Sequence, residues 1–146
     1  MLTKTQTKRR RQQQTAQELS LAAWTQLSFS PDGQKILVAT RAGLTLVFES
    51  TYLQLERLIV GYRNDRPYDI GACFTPDNRH VLTGSEDGAV CVFDGRGPGA
   101  GGGVEGVVHR LEGGHHGPVR HVLCNPKYEV VASACSTVVL WIAGAS

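Results

Sequence analysis

From residue 24 onwards, most of this chain is written in short runs where apolar and polar residues alternate. Alternation with a period of two places every second side chain on one face of an extended strand. Leu27 and Phe29 alternate ahead of Ser-Pro-Asp-Gly at 30–33, a turn sequence. The runs 35–40, 44–48 and 52–59 are the next predicted strands, with a turn at 41–43. Ala72 and Phe74 alternate in the same way ahead of a turn at 75–78. Residues 80–84 and 89–93 then flank Ser-Glu-Asp-Gly at 85–88, and Asp-Gly between alternating runs is a strong hairpin signal. Val122 and Cys124 alternate ahead of a turn at 125–128, after which 130–134 pairs with 137–141.

The pattern is one unit written three times. Its turn prolines are Pro31, Pro76 and Pro126, spaced by 45 and 50 residues. A closing aromatic, Phe48, Phe93 or Trp141, follows each proline by 17, 17 and 15 residues. A repeat of roughly 40–45 residues with about four strands is the signature of a β-propeller blade. The expected class is therefore all-β, with about three blades. Such a unit is a scaffold, which directs attention to binding rather than to chemistry.

Charge divides the chain unevenly. Lys4, Lys8, Arg9, Arg10 and Arg11 face one acid, Glu18, in the first twenty residues, whereas the remainder carries ten basic and twelve acidic residues. The overall +2 thus belongs to a tail, and the repeats have no global attraction for nucleic acid. Residues 1–20 offer almost nothing to bury and read as a basic disordered tail. The run at 8–11 reads either as a nuclear import signal or as a solvated charge run. Blades are expected at about 21–60, 61–95 and 104–146, with a flexible glycine-rich insertion at 95–103. No stretch reaches the ~18 apolar residues of a membrane span.

Residue groups that resemble chemistry lack the context it needs. Gly97-Pro-Gly-Ala-Gly-Gly102 matches G-x-G-x-x-G, but more glycine and a strand follow where a dinucleotide site needs a helix. His115, His116, His121 and Cys124 do not have zinc-ligand spacing, and His121 and Cys124 point to opposite faces of one strand. Cys73, Cys91, Cys124 and Cys135 form no C-x-x-C pair and read as small buried residues of a reducing compartment. No catalytic set, metal site or cofactor is expected.

Gly114-His115 with Trp141, and Gly-Ser-Glu-Asp-Gly-Ala-Val-Cys-Val-Phe-Asp at 84–94, resemble WD40 repeats. In that family a His, a Ser or Thr, a turn Asp and a Trp form a buried hydrogen-bonded tetrad. The resemblance places Thr83, Asp87 and Phe93 in the second copy, with Tyr62 near the His position, and His115, Ser133 and Trp141 in the third, with no Asp. Since Phe has no N–H, and each copy lacks a member, the tetrad is not expected to close in any blade. Residues 22–142 further resemble the C-terminal three blades of the WD-repeat adaptors of COMPASS-type histone H3 methyltransferase complexes, also found in cleavage-polyadenylation and phosphatase assemblies. Trp24-Thr-Gln-Leu-Ser-Phe-Ser-Pro-Asp-Gly, Phe74-Thr-Pro-Asp and Ser133-Ala-Cys-Ser carry that resemblance.

The resemblance implies a non-enzymatic nuclear adaptor with protein partners, free of direct sequence-specific nucleic-acid or membrane contact. Its partner surface would lie where the turn between a blade's second and third strands meets the approach to a first strand. This places Arg41, Arg63, Arg66, Glu86 and Arg120 on one rim. Three blades fall short of a ring, so self-association through open blade edges is also expected. Other readings are a cytoplasmic WD40 interaction module of another pathway, an enzyme built on a propeller, or a truncated, non-functional fragment.

Overall fold

The computed structural model describes residues 23–95 and 103–144, with side chains at all of these except 103–105. The basic tail, its import-like run and nearly all of the glycine-rich insertion lie outside the described residues. The described chain is all-β. Strands β1 (Trp24–Phe29), β2 (Lys35–Thr40), β3 (Thr45–Glu49) and β4 (Leu55–Ile59) form an antiparallel meander. Strands β5 (Ala72–Phe74), β6 (His80–Gly84) and β7 (Val90–Asp94) begin a second sheet, and β8 (Gly103–Glu105) runs parallel to β4 on the edge of the first. The second sheet is completed by β9 (Val107–Leu111), while β10 (His121–Cys124), β11 (Val130–Ala134) and β12 (Val138–Ile142) form a third sheet of three strands.

The spacing of the repeats groups Val107–Leu111 with the third copy, but this strand pairs with β7 through Val90↔Leu111, Cys91↔Arg110 and Val92↔His109. In that register Val107 meets the first core and Leu111 the second. The segment between two repeat units thus serves the earlier sheet. The three described sheets do not close into a ring.

One turn, in three chemistries, starts each sheet. In the first, Ser30 Oγ donates to Asp32 at 2.6 Å and Gly33 adopts φ 73°. In the second, Thr75 donates to Asp77 at 2.6 Å, and Asn78 takes the left-handed position at φ 60°. Asn tolerates that region better than other side chains do. In the third, the Asn125 side chain accepts the N–H of Lys127 and Tyr128 at 2.9 and 3.1 Å.

The sheets stack face to face. Leu37, Ala39, Val47 and Ile59 of the first pack on Ala72, Phe74, Val81, Cys91 and Phe93 of the second. Leu82 and Val90, on the other face of the second, pack on Val122, with Cys124, Val131 and Trp141 partly buried against them. The ends of the stack are bare: Leu27 and Phe29 are exposed at one, and Leu123, Val138, Leu140 and Ile142 at the other.

Between the second and third sheets the backbones nearly touch. A Cβ on Gly84 would lie 1.9 Å from the Val119 carbonyl oxygen, so only glycine fits. Gly84→Ala forces the sheets apart and is expected to cost about 2–3 kcal/mol, the range for an overpacked interior. A lowered midpoint in chemical denaturation checks this, and an unchanged midpoint would refute the contact.

Candidate partner-binding rim

The loop from 60 to 71 joins the first two sheets and organises the rim. Asn64 folds it by accepting Tyr68 N–H at 2.8 Å and donating to the Tyr68 carbonyl at 2.9 Å. The same amide reaches the Arg41 carbonyl at 3.3 Å, which ties the loop to the β2–β3 turn. On the other side, Glu86 N–H donates to the Arg63 carbonyl at 2.8 Å, and Ser85 Oγ accepts Arg63 N–H at 2.9 Å. The β6–β7 turn and the approach to β5 therefore meet, as the sequence leads one to expect.

Arg41, Arg63, Arg66 and Glu86 lie on these loops and Arg120 on the connection from β9 to β10, and the five fall in two groups. Arg41 forms a two-pronged ion pair with Asp69, and this guanidinium holds the Asp69 carboxyl below the usual carboxylate range. Arg120 also bears on Asp69 and lies over the Tyr68 ring, 5.8 Å from its centre. In the other group Arg63 pairs with Asp65 at 2.6 Å, while Glu86 accepts Arg66 N–H at 3.0 Å and lies 3.7 Å from its guanidinium. Four arginines thus face the three carboxylates Asp65, Asp69 and Glu86. Such exposed pairs contribute little to stability, because solvent screens them. What they supply is position, because they hold planar donors above the surface. Arg66 is the most available, with 78% of its side chain exposed. Asp69, Tyr68 and Asn64, which fix the arginines, carry no sequence signal that separates them from ordinary loop residues.

The tetrad positions behave differently in the two later blades. Tyr62, near the His position of the second, turns to the first sheet, where its hydroxyl meets Thr45 Oγ1 at 3.1 Å. Burial pushes the Tyr62 phenol up to about 12, against the opposing hydrogen bond with Thr45. Phe93 packs edge-on against Tyr62, with ring centres 6.4 Å apart. Asp87 pairs with Arg110 of β9 at 2.6 Å. Burial raises the Asp87 carboxyl, but hydrogen bonds from Arg110, Ser85 and the Ala89 N–H outweigh it and hold the group low. Thr83 is left buried, its hydroxyl without a hydrogen-bond partner among the described residues.

In the third sheet the three tetrad positions that the sequence offers are joined, with no Asp, and a thiol lies beside the imidazole. Trp141 Nε1 donates to Ser133 Oγ at 2.7 Å, and Ser133 Oγ meets His115 Nε2 at 2.7 Å. Indole N–H can only donate, so Ser133 Oγ accepts it, and the hydroxyl keeps its own proton and a second lone pair for other partners. Nδ1 lies 3.1 Å from Cys135 Sγ. Hydrogen bonds from Thr137, His115 and Ser136 hold the Cys135 thiol down to about 6, against a small opposing effect of burial. Among the described residues, no three His, Cys, Asp or Glu side chains gather into a group that could hold a metal ion.

Residues 64–94 match the WD domain, G-beta repeat family (WD40). The chain is 34% identical over 119 residues to WD repeat-containing protein 82 of Drosophila melanogaster, an alignment covering 82% of this chain and 35% of the relative. It is 29% identical over 134 residues to COMPASS component SWD2 of Saccharomyces cerevisiae, covering 86% of this chain and 39% of the relative. The chain therefore spans little more than a third of the length of either.

Removing the orphaned hydroxyl by Thr83→Val is expected to raise stability by about 1 kcal/mol, since an unmade buried hydrogen bond costs ~1–3 kcal/mol. A lower denaturation midpoint in the variant would show that the hydroxyl has a partner. Cys135 makes stability depend on pH. Its folded value lies below its ordinary one of 9.0, so the contribution is complete above about pH 9 and is lost as pH falls through about 6. The melting-temperature gap between the protein and Cys135→Ser should widen from pH 6 to pH 9. A constant gap would contradict a thiolate.

Proposed function

We propose, on the premise that this chain is a WD40-repeat protein related over most of its own length to WD repeat-containing protein 82 and SWD2, that it acts as a non-enzymatic adaptor. In this reading its blades hold protein subunits of a nuclear histone-methyltransferase or RNA 3′-end-processing complex. The yeast relative is by name a COMPASS component, which supports protein partners of that kind. The observation that carries the proposal is the rim. The Arg41 and Arg63 side chains pair with Asp69 and Asp65, Arg120 lies over the Tyr68 ring, and Glu86 accepts the backbone N–H of Arg66 and leaves its guanidinium largely exposed. Donors ordered in advance lower the entropy lost on binding. The near balance of charge favours a partner read by hydrogen-bond geometry, such as a carboxylate-bearing peptide segment, over bulk electrostatic attraction.

Arg66 is the sharper probe, because reversing Arg41 would place like charge beside Asp69 and disturb the fold. Arg66→Glu is expected to lower recovery of methyltransferase or 3′-end-processing subunits about tenfold in affinity purification with mass spectrometry, or ~1.4 kcal/mol. Its thermal melt should match that of the parent protein. An unchanged partner set rejects the rim. Recovery of cytoplasmic traffic or ubiquitin-ligase subunits alone rejects the assembly and favours an interaction module of another pathway.

A further inference from the structure

Two cysteines 51 residues apart in sequence meet where the second and third sheets join. Cys73 lies on β5 and Cys124 on β10, and their sulfurs are 3.7 Å apart. Their surroundings at this seam are apolar, with Leu82, Val92, Val131 and Trp141 packed in the same cluster. A disulfide needs the sulfurs at about 2.05 Å, so they must close by less than 2 Å. Neither residue is sealed off: both are partly exposed. Cys124 also lines an open cleft of about 470 Å³, bordered by Pro76 and Asp77 of one sheet and Pro126 and Tyr128 of the next. A small oxidant can therefore reach one sulfur while the other waits behind it.

We propose that Cys73 and Cys124 form a reversible dithiol–disulfide pair, closed by a hydroperoxide, that bolts the third sheet to the second. The two thiols carry a proton each but differ in acidity. The hydrogen bond with Cys124, together with burial, pushes the Cys73 thiol up, and the same hydrogen bond holds Cys124 down. Cys124, on the cleft, is thus the attacking sulfur. It attacks the peroxide oxygen, the O–O bond breaks, and water leaves from hydrogen peroxide while Cys124 becomes a sulfenic acid. The Cys73 sulfur then attacks Cys124, the S–S bond forms and the S–O bond breaks. The leaving hydroxide takes the Cys73 proton as a second water. Two thiols lose two electrons in all, and one peroxide gains them.

The bond would act on the rim. Arg120 hangs on the same seam through the Gly71 N–H to Arg120 carbonyl hydrogen bond at 2.8 Å, and Val119 N–H reaches the Ser85 carbonyl at 2.9 Å. A covalent link beneath these contacts would fix Arg120 relative to the approach to β5. Reduction would leave that relation to hydrogen bonds and packing alone.

The test treats the reduced full-length chain with hydrogen peroxide and measures intact mass, free thiols and linked peptides. The expected product has lost two hydrogens and two alkylatable thiols. Its linked peptide joins Cys73 to Cys124, outnumbers links to Cys91 or Cys135 by about tenfold, and disappears with dithiothreitol. The oxidised chain should also unfold at a higher denaturant concentration than the reduced one. In Cys73→Ser, Cys124 should go on to the sulfinic acid. Oxygen uptake by the parent protein without a linked peptide would overturn the proposal, as would linkage chiefly to Cys91 or Cys135. Unchanged thiols under conditions that oxidise the denatured chain would also overturn it.

Discussion

A β-sheet that is apolar on both faces cannot stand in water alone, and every sheet in this chain is of that kind. Leu37 and Val47 point one way from the first sheet, Leu27 and Phe29 the other. Phe93 and Val81 fill one side of the second sheet, and Leu82 and Val90 fill the other. Stacking satisfies the middle sheet completely and the outer two by half. The rest follows from this. The backbones must approach closely at the seams, which is why Gly84 lies against Val119. Loops must emerge at common ends of the stack, which is why arginines from three separate loops share one rim.

The rim is built on a trade-off between order and charge. Each arginine that could contact a partner is first held by the protein itself, through Asp69, Asp65, Glu86 or the Tyr68 ring. Free guanidinium groups would attract more strongly at long range but would lose more freedom on docking. A surface that gives up long-range attraction for fixed geometry suits assembly into a defined complex. The buried tyrosine ties two sheets together, since Tyr62 bonds Thr45 of the first and packs on Phe93 of the second.

Much of the fold was legible in the sequence, because alternation and turn chemistry are local. Leu27 and Phe29 lie on one face, as their spacing implies, and the turns at Pro31, Pro76 and Pro126 each open a sheet. The partner of Val107–Leu111 was not legible, because it depends on which sheet has an unfilled edge rather than on the strand itself. Among candidate site residues, Arg41, Arg63, Arg66, Glu86 and Arg120 were proposed from loop position alone. The pairs Asp87–Arg110 and Cys135–His115 could not be read in this way, because each joins residues about twenty apart across a turn that no pattern marks. Cys73 and Cys124 read as ordinary strand cysteines until two sheets bring them together.

The first sheet carries β8 on its outer edge and the second carries β9, but the third ends at β12. In the language of hydrogen exchange, this orders the molecule in time. The outer amides of β4 and β7 are locked in ladders and open only when a neighbouring strand leaves. Those of β12 face outwards without a neighbour among the described residues, and the sheet behind them is covered on one side. Deuterium should therefore enter the third sheet first and the buried middle sheet last, so that the chain comes apart as a sequence of blades rather than all at once.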